Sequence, residues 1–194
     1  MVVNGVVDYN YTGIGQNSNG YWYLENGTLE GYTKYLNYVD SENQLWSVIG
    51  NRATKQEITE IIKLDGIWRM VVNGIVDYNY TGIGHNSNGY WYLENGTLEG
   101  YNKTLNFVDS ENQLWTVKGN KATKQEITEI VKLDGIWRMV VNGIVEYNYT
   151  GIGHNVNGYW YLEDGTLEGY NKTLIYTDAD GCVWNVVKNR ATQM

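Results

Sequence analysis

A tryptophan returns at short, nearly constant intervals along this 194-residue chain, at Trp22, Trp46, Trp68, Trp91, Trp115, Trp137, Trp160 and Trp184. The steps are 24, 22, 23, 24, 22, 23 and 24 residues, and three successive steps sum to 69. That sum is the larger period: residues 1–69, 70–138 and 139–194 are three copies of one sequence, the last one shorter, and the first two differ at nine positions. Such repetition constrains the fold before any local propensity is weighed. A piece of about 23 residues cannot bury an apolar face alone, so it must stack on its neighbours. The expected organisation is a single repeat array over 1–194, with three small units in each long period.

Each small unit has a run around its Trp, a two-residue turn, and a second run. Asn73-Gly74 and Asn95-Gly96 are the favoured pair for a type I′ hairpin turn, because both central residues need positive φ. Gly119-Asn120 fits a type II′ turn, with Gly first. The segment KQEITEIIKL places Ile58, Ile61 and Ile62 at helical spacing, but its β-branched content and its position in the unit favour the second strand of a hairpin. The predicted fold is therefore all-β: an elongated β-solenoid of stacked hairpins, roughly eight units long.

Alternation along the strands assigns faces. Trp68, Met70 and Val72, then Trp91 and Leu93, then Trp115 and Val117 form one apolar series and are expected on the inner face. Ile67 and Arg69, Tyr90 and Tyr92, and Leu114 and Thr116 share no character and are expected on a variable outer face. On that reading Tyr90, Tyr92 and Tyr101 are contact residues, and Trp91 and Leu93 are scaffold.

Composition narrows the function. The chain has 18 Tyr, 8 Trp and 23 Gly, but one Phe and no Pro. Tyr and Trp combine a large apolar area with a polar handle, which suits recognition surfaces. A net charge of −8 and the lack of a basic stripe argue against nucleic acid. No stretch approaches the roughly 18 apolar residues of a spanning helix, and no signal peptide is recognisable. Cys182 stands alone, so it forms no intramolecular disulfide and is expected to be a small buried hydrophobe. His85 and His154 occupy one loop position where the first copy has Gln16, and no nucleophile elbow, phosphate loop or zinc spacing occurs. The segment DADG at Asp178 to Gly181 has an incomplete series of oxygen ligands for calcium and reads as a turn. The expectation is a protein without catalysis, metal or cofactor.

The segments GYWYLENG and NGIVDYNYTGIG closely resemble the cell-wall-binding repeats of clostridial and related Gram-positive surface proteins, within the wider choline-binding-like repeat family. The likeness runs along essentially the whole chain, strongly for the first two units of each period and weakly for QLWTVKGNKATKQEITEI. It implies a superhelix of short hairpins and a location at the cell surface or in the cell wall. The implied partner is a polymer, either teichoic acid bearing choline or a cell-surface carbohydrate, held between consecutive hairpins by aromatic side chains. Carried over by position, the implied ligand-binding residues are Tyr21, Trp22, Tyr32 and Trp46 in the first copy. In the second they are Tyr90, Trp91, Tyr101 and Trp115, and in the third Tyr159, Trp160, Tyr170 and Trp184. The chain departs from the choline type by having Tyr where that type often has Trp in the second strand.

Two functions remain open at this stage. One is a surface-anchoring module whose many weak sites gain avidity on one polymer. The other is a structural stalk or adhesin shaft with interlocked aromatic residues; a hydrolase lacks its acid–base pair. Because KATKQEITEI has no aromatic residue, sites are expected where units one and two or two and three meet, and not at the third junction. The divergent last unit reads as a terminal cap, and the chain as the C-terminal piece of a longer surface protein.

Overall fold

The computed structural model describes every residue except Glu30, Glu99, Glu168 and Tyr170, and for Val3 the backbone only. Among the described residues the secondary structure is all β, with every strand pairing antiparallel and no closed barrel. Among the described residues no helix is long and apolar enough to cross a membrane. The chain divides into two compact units, Met1–Asn102 and Lys103–Met194.

In the first unit the strands are β1 (Val2–Val3), β2 (Val6–Val7), β3 (Gly13–Asn17), β4 (Gly20–Leu24), β5 (Tyr35–Val39) and β6 (Leu45–Ile49). They continue with β7 (Arg52–Lys55), β8 (Glu60–Leu64), β9 (Ile67–Val72), β10 (Ile75–Asp77), β11 (Gly82–Asn86) and β12 (Gly89–Leu93). The second unit holds β13 (Thr104–Val108), β14 (Leu114–Lys118), β15 (Lys121–Lys124), β16 (Glu129–Leu133), β17 (Ile136–Val141) and β18 (Ile144–Glu146). Its remaining strands are β19 (Gly151–Asn155), β20 (Gly158–Leu162), β21 (Leu174–Thr177), β22 (Val183–Val187) and β23 (Arg190–Gln193). Five- and three-stranded sheets recur in the two units, and β1 and β2 pair as a two-stranded sheet. A five-stranded sheet has the order β3-β4-β7-β6-β5 in the first unit and β19-β20-β23-β22-β21 in the second. A three-stranded sheet has the order β10-β9-β8 or β16-β17-β18.

The hairpin turns form where Asn, Asp and Gly make positive φ cheap. Val72 pairs with Ile75 around Asn73-Gly74, at φ 49° and 82°. Lys118 pairs with Lys121 around Gly119-Asn120, and φ is 57° and 63° there, so this turn is type I′, not the expected type II′. Asn tolerates the left-handed region, so both central positions can adopt it and match the strand twist. Asp65-Gly66 makes a further type I′ turn, at φ 48° and 86°, between β8 and β9. Units that each open on the run around Trp place a boundary at this Asp-Gly pair. It instead joins two strands, so the Trp68 strand is the middle strand of three.

Two other expected second strands are redistributed. After Asn95-Gly96 the ladder is a single bridge, Glu94 to Thr97, and Thr104–Val108 pairs with β14 instead. The segment KATKQEITEI is two strands: Lys121–Lys124 pairs with β14, and Glu129–Leu133 starts the next sheet. Ile61 and Ile130 are strand residues, each about 2% exposed, so the strand reading of the isoleucine segment holds and the helical spacing was incidental.

The cores are small and alternate in character. Tyr23, Trp46, Val48 and Ala53 cluster on one face of the five-stranded sheet, with Ile14, Leu36 and Tyr38 around them. Leu45, Leu64, Val71 and Val76 form an aliphatic cluster against one face of the three-stranded sheet. On its opposite face Ile61 and Met70 pack with Leu93 and Leu98, flanked by Trp68 and Trp91. A Cβ on Gly84 would come within 2.8 Å of both Ile61 Cγ1 and Met70 Sδ, so β11 sits against that sheet only because this residue has no side chain. The expected division into inner and outer faces is corrected here. Tyr92 (6% exposed) and Leu114 (1%) lie on the supposedly outer face and are buried, because each sheet packs on both sides. Cys182 is half-buried beside Trp184 and Tyr161 rather than fully buried.

A buried glutamine joins the two sheet types. Gln44 Nε2 donates to the carbonyls of Leu45, Gln56 and Gly74 at 2.9, 2.9 and 3.0 Å, and Gln113 repeats the arrangement with Leu114, Gln125 and Gly143. The two N–H groups of each amide are shared among the three carbonyls, so the side chain ties the start of one strand to the turn of the next sheet. Cys182 stands at this position in the third copy.

Candidate aromatic binding sites

Tyr21 and Trp22 are neighbours on β4, so the pleat sends them to opposite faces. Tyr21 turns to Trp46, with ring centroids 5.0 Å apart and planes tilted by 52°, while Trp22 meets Tyr32 edge-on at 5.9 Å and 78°. The four residues implied as one cage in the first copy are thus two aromatic pairs on two sides of a sheet. Trp91 and Tyr101 repeat the edge-on pair, at 5.9 Å and 82°. Tyr159 and Trp184 repeat the tilted pair, at 5.0 Å and 44°. Tyr170 lies outside the described residues.

Different hydrogen bonds hold the two kinds of tryptophan. Trp46 donates its indole N–H to Asp40 Oδ2 at 2.8 Å, and Asp40 Oδ1 accepts the amides of Glu42 and Gln44. Trp115 with Asp109, and Trp184 with Asp178, do the same. These three indoles are each 7% exposed and belong to the cores. In DADG, the Asp178 carboxylate therefore closes a turn: Oδ1 takes the amides of Asp180 and Cys182. The indole N–H first, then those amides, hold its carboxyl below the usual carboxylate range. The described residues contain no group of three or more His, Cys, Asp or Glu arranged to hold a metal.

Trp22, Trp91 and Trp160 instead donate to Asn17, Asn86 and Asn155 at 3.2 to 3.3 Å, each the last residue of the preceding strand. They remain half-buried, and the tyrosines edge-on to Trp22 and Trp91 are open, with Tyr32 61% and Tyr101 52% exposed. Both tyrosines hold φ at 46° directly after a left-handed glycine. A tyrosine rarely adopts that conformation, and here it presents the ring beside the indole instead of continuing a strand. Tyr90 and Tyr159 are each 50% exposed and lie 6.0 and 5.9 Å from the rings of His85 and His154.

Sequence reasoning missed Trp68 and Trp137. Trp68 flanks the same cluster as Trp91, and Trp137 flanks the same cluster as Trp160. Their spacing of 23 residues was visible, but the common cluster depends on β8 and β16, which the sequence had attached to other hairpins. In the second unit, Trp137 borders a groove of about 310 Å³ with Glu129, Lys132, Asn155 and Asn106. In the first unit, Trp22 borders one of about 290 Å³ with Leu24, Leu29 and Met1.

Cationic side chains already lie over several of these indoles. Arg52 is 5.8 Å from the Trp22 ring, Lys63 is 5.9 Å from Trp68, Lys132 is 5.8 Å from Trp137 and Arg190 is 5.5 Å from Trp160. Arg69 and Arg138 lie over Tyr78 and Tyr147 at 5.0 and 4.9 Å. These contacts join residues brought together by strand pairing, as Trp22 opposite Arg52 and Trp68 opposite Lys63.

No protein-family model matches the chain, and no curated protein matches it. Among solved structures, it is similar to CbpJ from Streptococcus pneumoniae, at 16% identity and a TM-score of 0.32, over 93% of this chain and 57% of that one. It is also similar to choline binding protein F from Streptococcus pneumoniae, at 16% identity and a TM-score of 0.31, over 95% and 57%. The chain thus spans 57% of the length of each of these proteins. At these TM-scores neither likeness bears on the ligand.

Proposed function

We propose that the chain is a non-catalytic, extracellular binding module that attaches a surface protein to a cell-wall polymer through repeated aromatic sites, and that its hairpins continue as a β-solenoid. The observation that carries this reading is the recurrent half-open indole with an exposed tyrosine edge-on to it. Trp22 with Tyr32 and Trp91 with Tyr101 have the same centroid distance and nearly the same angle, and in each the indole N–H is fixed by an Asn. A core would not need the tyrosine, and a bare stalk would not need it held at a left-handed φ. Rings fixed in this way offer flat apolar area to a sugar face with little ordering cost on binding. Weak sites repeated along one polymer then raise avidity through effective concentration.

The polymer's sugars, rather than choline, are the proposed ligand. A quaternary ammonium needs an indole face free of other cations, since its attraction comes from the ring's negative quadrupole. Arg or Lys already occupies that position at Trp22, Trp68, Trp137 and Trp160. The same cations, with Asn106, Asn155 and Glu129 in the groove beside Trp137, are suited to hydroxyl groups. Tryptophan fluorescence of the full chain titrated with dextran, choline and soluble cell-wall fragments tests this reading. Saturable quenching by a glycan, weakened in the double variant Trp91→Ala with Tyr101→Ala and absent with choline, is the expected result. Indifference to every polymer would overturn it in favour of a stalk.

A further inference from the structure

The ribbon β14–β15 carries a feature that the other copies lack. Lys118 and Lys121 are direct cross-strand partners on either side of the Gly119-Asn120 turn, and Thr116 and Thr123 are the next pair on the same face. Directly opposed like charges destabilise a sheet, so this pairing needs a reason. Both lysines are exposed, and neither makes an ion pair among the described residues. With Gln125, whose Nε2 donates to the Thr123 carbonyl, they line a shallow groove of about 320 Å³ whose named lining includes no carboxylate. At the same register the first copy has Ile49 opposite Arg52, and the third has Val187 opposite Arg190. One cation is thus common to the repeat, and the second is particular to this ribbon.

The groove neighbours the aromatic one. Thr116 is the cross-strand partner of Asn106 and donates its hydroxyl to the Asn106 side-chain oxygen at 3.4 Å. Asn106 in turn lines the groove of Trp137, Lys132, Glu129 and Asn155. In the second unit the Asn106–Thr116 pair thus stands between two neighbouring grooves, one bordered by an indole and the other by two lysines and two threonines.

We propose that this ribbon is an oxyanion subsite, which receives a phosphate, sulfate or carboxylate group borne by the polymer chain whose sugar rests at Trp137. Two opposed ammonium groups neutralise such an anion, and the anion in turn relieves their mutual repulsion. The threonine hydroxyls and the Gln125 amide supply neutral donors beside them. The site gives the second copy a selectivity that the first and third copies lack. The inference rests on the polymer-binding reading above, and the probes below separate the failure of one from the failure of the other.

Dextran and dextran sulfate of equal chain length share a backbone and differ in charge. The full chain is expected to bind dextran sulfate more tightly than dextran. The double variant Lys118→Ile with Lys121→Gln is expected to lose about tenfold in affinity for dextran sulfate, from two exposed ion pairs. Its salt dependence should fall by about one counterion per lysine, while dextran binding stays unchanged. The first copy already tolerates Ile49 at this position, so the variant keeps the ribbon; thermal unfolding checks this and should show equal or higher stability at low salt. Lys55→Gln with Lys124→Gln makes the same charge change on other surfaces and is expected to keep its affinity. Equal losses in the two double variants, or no preference of the full chain for dextran sulfate, overturns the subsite alone. Failure to bind either dextran or soluble cell-wall fragments, with dextran sulfate also unbound, overturns both readings.

Discussion

Trp160 and Trp184 lie in one five-stranded sheet and follow the same local pattern, yet they belong to different parts of the protein. Trp184 is 7% exposed, its indole N–H is held by the Asp178 carboxylate, and it packs on Tyr161, Val186 and Ala191. Trp160 is half-buried, its N–H is held by the neutral Asn155, and its ring carries Arg190. The residue type does not separate the roles. They are separated by the strand on which each indole sits and the face to which the pleat sends it.

The contrast is sharpest in stability. Trp184→Ala removes a buried aromatic from a small cluster and is expected to cost about 3–5 kcal/mol, against about 1–2 kcal/mol for Trp160→Ala, in urea denaturation followed by circular dichroism. Equal losses would mean that the two indoles are both core. The buried glutamine gives the next largest effect. Gln113→Ala leaves the carbonyls of Leu114, Gln125 and Gly143 without their side-chain donor and is expected to cost about 1–3 kcal/mol. Cys182→Ala, at the same repeat position, should cost less than about 1 kcal/mol. A Gln113 variant as mild as the Cys182 one would remove the glutamine as the link between sheet types.

The smallest effect is a pH dependence at the Asp178–Trp184 contact. The folded-state pKa of Asp178 is depressed, chiefly by the Trp184 N–H, so its contribution is present above the unfolded value and disappears as pH falls through the folded one. Unfolding midpoints measured down the acid range should fall more steeply for the native chain than for Asp178→Asn. Parallel curves would show that the hydrogen bond discriminates little between charge states. Trp160, with an uncharged acceptor, should show no such difference when Asn155 is replaced.

Much of the architecture was legible in the sequence because its cues are local. The Asn73-Gly74 turn, the strand character of Ile61 and the repeat period follow from φ preferences, β-branching and spacing. The same locality explains the errors. Asp65-Gly66 is as strong a turn signal as Asn73-Gly74, but a frame drawn from Trp to Trp cut through it and misassigned the strand before each Trp. Tyr92 and Leu114 were placed outside because alternation labels two faces without saying whether both are covered.

By itself the sequence determined the all-β class, the turns and the aromatic residues available for contact, since each depends on near neighbours in the chain. Only the tertiary structure decided that Tyr21 and Trp22 serve different pairs, that Trp68 accompanies Trp91 at one cluster, and that Lys118 faces Lys121 beside two threonines. Those facts depend on which strands lie side by side and which sheet faces are covered. Pairing and packing between residues distant in the chain set both, and no local preference encodes them.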